Sequence, residues 1–181
     1  RILVEQTIRS LQGVDLVMSS VAERLHVLAP RRQSIDGYLA HVLLSSRIAS
    51  MPHVDALFIV DASGTVIASS AEHPVRRVSA IDRDYFRFPQ TRSKSEVFVG
   101  SPLIDRLSGK WTLHMSRRLE QADGAFAGVI VAALNLEHFE RLHDLQLDYI
   151  APITLYLSDG HLVARSPRDE TLIGRHFVLP P

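Results

Sequence analysis

The chain has 181 residues, 46% apolar and 22% charged, enough for one globular domain, or one and part of another. Its twenty basic residues balance twenty acidic ones, which removes any electrostatic reason to expect nucleic acid or an anionic membrane surface as partner. There is no cysteine, so disulfides and thiolate metal sites are excluded, and no window reaches the ~18 apolar residues of a membrane span.

Residues 2 to 28 carry one apolar stripe through Val4, Ile8, Leu11, Val14, Met18, Val21, Leu25 and Leu28, the helix period. Gly13 and Asp15 interrupt it and Pro30 ends it. The stripe reads as a helix packed on a sheet, as a stalk or dimer helix, or as both. Ser34 is placed to cap a second helix running to about Ser50, ended by Pro52. The period then changes to strand: Ala56–Val60 and Thr65–Ser69 flank the turn Asp61-Ala-Ser-Gly64. A crossover follows, containing SAIDRDYFRFPQTR (79–92), dense in both rings and charges. Val97–Leu103, Trp111–Leu119 and Phe126–Leu134 read as three further strands joined by Gly-containing turns, and Glu137–Leu145 as a helix. The fold class is α+β: a long N-terminal helix and a five-stranded antiparallel sheet, with helices on one face and a hollow on the other.

The chain also repeats itself. Leu57–Ser70 (LFIVDASGTVIASS) is echoed by Thr154–Ser166 (TLYLSDGHLVARS), in the same order of elements. Residues 152 onward therefore read as the start of a second, smaller copy of the unit, or as an appended hairpin. The chain begins at Arg1 inside a periodic segment and ends at Pro180-Pro181 just past a structured-looking one. A longer parent protein is expected, with any signal peptide or membrane helix outside these residues.

FIVDASGTVIASS, DRDYF, VGSPLIDRLSGKW, MSRRL and DGAFAGVIVAAL, in this order, resemble the double Cache sensor domains of bacterial transmembrane receptors, which are tandem PAS-like modules. The resemblance covers residues 1 to 150 and the beginning of a membrane-proximal module after them. It implies three parts: a stalk or packing helix (1–33), a membrane-distal ligand module (34–150) and a partial membrane-proximal module (151–181). It implies a periplasmic small-molecule sensor of an inner-membrane histidine kinase or diguanylate cyclase. That sensor would dimerise through the N-terminal helix and meet the membrane only through flanking segments. In the amino-acid-binding branch an Arg–x–Trp–Tyr-like signal lies on the lid, and Arg83 and Tyr85 fall on it, while Phe86 lacks the family tyrosine's hydroxyl. That branch ends its fifth strand with an aspartate for the ligand's amine; Asn135 stands there, so a small carboxylate or another polar metabolite is expected over an α-amino acid.

Along the fourth strand, Trp111, Leu113, Met115 and Arg117 share one face and Thr112, His114 and Ser116 the other, with the pocket-facing set left open. The candidate ligand residues are thus Arg83, Tyr85, Trp111, His114, Ser116 and Asn135. Arg83 offers a planar fork to a carboxylate, or pairs on the surface with Asp82, Asp84 or Asp105. Asn135 faces a ligand or caps the following helix. His138 and His143, five apart, make a poor metal pair, and no His-Glu-x-x-His, Gly-x-Ser-x-Gly or P-loop occurs. No cofactor, metal or catalysis is expected within the chain, His114 and Ser116 being the one pair a hydrolase could use. The rival class is a periplasmic protein-interaction module without a small-molecule ligand.

Overall fold

The computed structural model describes residues 2–28, 37–92, 96–144 and 153–179. The expected Ser34 cap and Leu145 lie outside them. The first helix, α1 (Ile2–Leu28), runs the full length of the stripe. Val14, Met18 and Val21 are buried, whereas Ile8 is 48% exposed, so the sheet takes only the middle of the stripe. Asp15 does not break the helix; its carboxylate pairs with Arg117 on the sheet beneath. A second helix, α2 (Gly37–Ile48), buries Ala40 and Leu44 on the same side.

The sheet is antiparallel and six-stranded rather than five-stranded. β1 (Val54–Asp61), β2 (Val66–Ser69), β5 (Trp111–Glu120) and β6 (Phe126–Asn135) match the sequence pattern. The expected Val97–Leu103 strand is divided into β3 (Phe98–Val99) and β4 (Leu103–Ile104), both paired with β5. Gly100-Ser101-Pro102 interrupts it, and a proline has no N–H for the ladder. Strand order is β2–β1–β6–β5–β3, with β4 beside β5. A short helix, α3 (Asp84–Thr91), crosses the far face and stops just past Pro89. A further helix, α4 (Leu136–Asp144), follows β6 directly.

The two faces of the sheet bury different chemistry. Leu57, Ile59, Leu113, Met115, Ile130, Ala132 and Leu134 meet α1 and α2 in one apolar core. Side chains of this size each contribute ~1.5–3 kcal/mol on burial. Phe58, Val60, Val129, Val131 and Ala133 face α3 in a second core with Tyr85 and Phe86. The choice left open on the fourth strand is thus decided: Leu113 and Met115 lie under the long helix, and Thr112, His114 and Ser116 share the α3 side.

After α4, β7 (Ile153–Tyr156) and β8 (Leu162–Ser166) form a separate two-stranded sheet, whose Leu162, Val163 and Ala164 extend the α1-side core. The internal repeat holds at the level of hydrogen bonds. Phe58↔Ser69, Ile59↔Ala68 and Val60↔Val66 in the first hairpin correspond to Thr154↔Arg165, Leu155↔Ala164 and Tyr156↔Leu162 in the second, with a register shift at the same place. Gly64 and Gly160 both adopt positive φ (83° and 93°) and donate to the carbonyls of Asp61 and Leu157 at 3.0 and 2.9 Å. Each carbonyl then accepts from a returning segment, from Ala80 N at 2.7 Å and from Phe177 N at 2.9 Å. No described helix is long and apolar enough to cross a membrane.

Candidate functional site

The segment 79–92 joins rings to charges because it must lie flat on a sheet and still be fastened at its rim. Tyr85, Phe86 and Pro89 turn inward and are buried. Phe88 stacks on Phe98 with centroids 4.5 Å apart, and the Arg92 guanidinium lies over Phe88 at 4.8 Å. Asp82 accepts two 2.7 Å bonds from Arg106, which hold its carboxyl down at about 2, and Arg106 also donates to Ser79 O at 2.7 Å. At the other end Arg118 donates to the carbonyls of Pro89 and Gln90, each at 3.2 Å. Arg83, half-buried ahead of α3, donates to Ile104 O at 3.3 Å. Its guanidinium therefore holds the β4 end and pairs with none of Asp82, Asp84 and Asp105.

Under α3 the hollow is filled. Tyr85 stacks on His114 with centroids 4.7 Å apart, and Phe58 meets both rings edge-on at 6.0 and 6.2 Å. Burial first, then the nearby Asp105 charge, pushes the Tyr85 phenol up to about 12, so it is a neutral hydrogen-bonding group at any ordinary pH. His114 is 0% exposed and its Nε2 lies 3.3 Å from Asp105 Oδ1, while Asp105 Oδ2 accepts from the N–H groups of Leu107 (3.1 Å) and Ser108 (2.7 Å). Burial raises the Asp105 carboxyl, but the bonds from His114 and Ser108 outweigh it and hold it at about 2. Ser116 Oγ and His114 Nδ1 have no hydrogen-bond partner among the described residues, so these two side chains do not form a nucleophile–base pair.

The open space lies beside that packing. A cavity of about 160 Å³ is bounded by Ala56 and Phe58 on β1, Thr112 on β5 and Ala133 on β6. Ser69 at the end of β2 and the loops after it and at 105–108 close it, with Ala71, Glu72, Arg76, Asp105, Leu107 and Ser108, and Asp55 stands at its end. Arg76 spans the two loops, bonding Glu72 at 3.2 Å and Leu107 O at 2.6 Å. The lining is apolar at its sheet floor and carries three carboxylates against one guanidinium.

The six candidate residues are therefore separated. Tyr85, His114 and Ser116 gather under α3 behind Asp105. Arg83 sits at the rim. Trp111 and Asn135 line a different cavity, of about 260 Å³, at the end of the sheet. Asn135 caps α4, its Oδ1 accepting from His138 N at 3.2 Å, and its Nδ2 donates to Asp55 Oδ1 at 2.9 Å. Asp55 and Arg76 were not singled out from the sequence, and Asp105 entered only as a possible surface partner of Arg83. Asp105 reads there as an ordinary turn former, which its bonds to Leu107 and Ser108 also make it; its link to the buried His114 is the part a sequence does not display.

No protein-family model matches the chain, and neither does any curated protein sequence. Solved structures do match. The extracellular domain of rpHK1S-Z16, named as a histidine kinase, superposes with a TM-score of 0.82 at 29% identity, covering 96% of this chain and 69% of that one. This is the Cache-type sensor fold. Two other Cache-type neighbours are ligand-binding domains of chemoreceptors. CtaA of Pseudomonas fluorescens, in complex with L-serine, has a TM-score of 0.74 at 16% identity, with 97% of this chain and 71% of that one covered. PctC of Pseudomonas aeruginosa, in complex with GABA, has a TM-score of 0.74 at 16% identity, with 97% and 75% covered.

Proposed function

We propose that this Cache-type chain is the extracytoplasmic sensing part of a transmembrane receptor, and that its ligand is a small polar molecule bearing a protonated amine. The observation that carries this reading is the cavity at Asp105, whose carboxylate stays ionised while partly withdrawn from water. An ammonium group gains most where a fixed negative charge lies in a low-dielectric wall. Of the two ligand classes expected from the sequence, the polar metabolite fits this lining better than a plain carboxylate. Asn135 in place of an aspartate does not argue against an amine, because Asp55 and Asp105 place carboxylates at the same cavity. The complexes of chemoreceptor neighbours with L-serine and GABA support small-molecule sensing.

Residues 34–150 form the ligand module in this reading, α1 its stalk and dimer helix, and residues 151–181 the start of a membrane-proximal module. The likeness to rpHK1S-Z16 favours a histidine kinase over a diguanylate cyclase as the output, with the chain on the periplasmic side of the inner membrane. The chain itself binds rather than catalyses. A ligand shifts such a receptor only through its difference in affinity between two states. Closing the loops after β2 and at 105–108 around the amine supplies that difference.

Calorimetry with small amines, amino acids and carboxylates tests the reading. An amine should bind, and Asp105→Asn should weaken it at least tenfold, about 1.4 kcal/mol. A ligand at ~100 times its dissociation constant should raise stability by about 2.7 kcal/mol. Carboxylates binding in preference, or an Asp105→Asn protein of unchanged affinity, would end it.

A further inference from the structure

The second cavity, about 260 Å³, opens where the end of the six-stranded sheet meets the segment after β8. Its lining includes Trp111, Lys110, Asp55, Glu137, Arg168 and Glu170. Trp111 is half-buried, with its benzo edge against Gly174, where an added Cβ would stand 3.0 Å from Cζ3. The Arg168 charge is neutralised within the protein: it bonds both oxygens of Glu140, itself 7% exposed, at 2.9 and 2.8 Å, and Glu170 at 3.1 Å. The lining thus sets three acids, Asp55, Glu137 and Glu170, against Lys110 and this already bonded Arg168, beside the only tryptophan of the chain.

We propose that this cleft is a second binding site, for a small organic cation of ammonium or guanidinium type seated against Trp111. The indole face and the surrounding acids attract positive charge together. An anion entering the cleft would meet the three carboxylates. The site bridges two parts of the chain, since Trp111 and Glu137 belong to β5 and α4 whereas Arg168 and Glu170 follow β8. Asp55 lines both cavities and is held by Asn135, so one carboxylate–amide pair separates this site from the first. The proposal does not depend on the first cavity being occupied.

Trp111 emission reports on this cleft directly. The whole chain, as parent and as Asp105→Asn, is titrated with tetramethylammonium, choline and methylguanidinium, with acetate and succinate as anionic controls. At least one cation should produce a saturable emission change in both proteins, and the anions none. The double variant Glu137→Gln, Glu170→Gln should lower that cation's affinity about tenfold, with folding checked by circular dichroism. If Asp105→Asn fails to fold, the parent and the exposed-site variant Glu137→Gln carry the test. No saturable change up to about ten times a millimolar dissociation constant overturns the proposal. So does an equal response to the anions. A cation response that vanishes in a folded Asp105→Asn protein overturns it too, and assigns the signal to the first cavity instead; cation titration that survives while calorimetry finds no Asp105-dependent ligand sustains this site and removes the first reading.

Discussion

The hairpins β1–β2 and β7–β8 share register, bulge, turn glycine and the bond to a returning segment. They differ in what is laid beside them. β1 has β6 along its second edge and α3 across its far face, and the cavity forms where the loops after β2 and at 105–108 meet that face. The β7–β8 pair forms a sheet of two strands among the described residues, and its apolar side is absorbed into the core under α1. A local sequence signal is thus enough to build the hairpin twice. The cavity needs residues from three more places, because Asp105, Thr112 and Ala133 all come from beyond it.

Four measurements break or sharpen this contrast. The largest effect is expected from Leu134→Ala on the strand that only the first hairpin has beside it. Leu134 is 0% exposed, and the substitution should cost about 2–5 kcal/mol in denaturant unfolding. Next come Gly64→Ala and Gly160→Ala. Both glycines have positive φ, and a Cβ would lie 2.9 Å from Ile81 Cβ in the first and 2.2 Å from Phe177 O in the second. Each should lose about 1–3 kcal/mol, but only Gly64→Ala should also weaken amine binding, since Ile81 leads into α3. Equal effects on affinity would mean that the second hairpin takes part in the first cavity.

The third measurement is the pH dependence of stability in the parent and Asp105→Asn proteins. The Asp105 carboxyl is depressed to about 2 in the folded state, below the ~3.9 of an unfolded chain. Its contribution is present above about pH 4 and lost as pH falls toward 2. The unfolding curve of Asp105→Asn should be flatter across that window. The smallest effect is a gain. Gly13 lies mid-helix, and an added Cβ would meet only Met51 Cε at an ordinary 3.8 Å. Gly13→Ala should therefore stabilise by about 0.5–1 kcal/mol, visible as a raised melting temperature, and leave ligand binding alone.

Much of the fold was legible because it rests on periodicity and turn chemistry: the α1 stripe, the Gly64 and Gly160 turns, and the long β5 and β6 strands. The division of β3 from β4 is written in Gly100-Ser101-Pro102, although the apolar residues on either side read as one strand. The site was less legible. The parity of Thr112, His114 and Ser116 showed that they share a face, but which face is settled by the packing of α1, a contact far away in sequence. Asp105 and Arg76 lie in loops whose residues look like turn formers and solvated charges; only the fold brings them to one cavity. Asp15, read as an interruption of the helix, proved to be the partner of Arg117.

Because α3 is fastened at one end by Arg106 through Asp82 and at the other by Arg118, it is poorly suited to swing. The easier doorway lies at its flank, where, among the described residues, the Arg76 bond to Leu107 O bolts two loops together. Residence time would then be governed by how often a single guanidinium lets go of the Leu107 carbonyl.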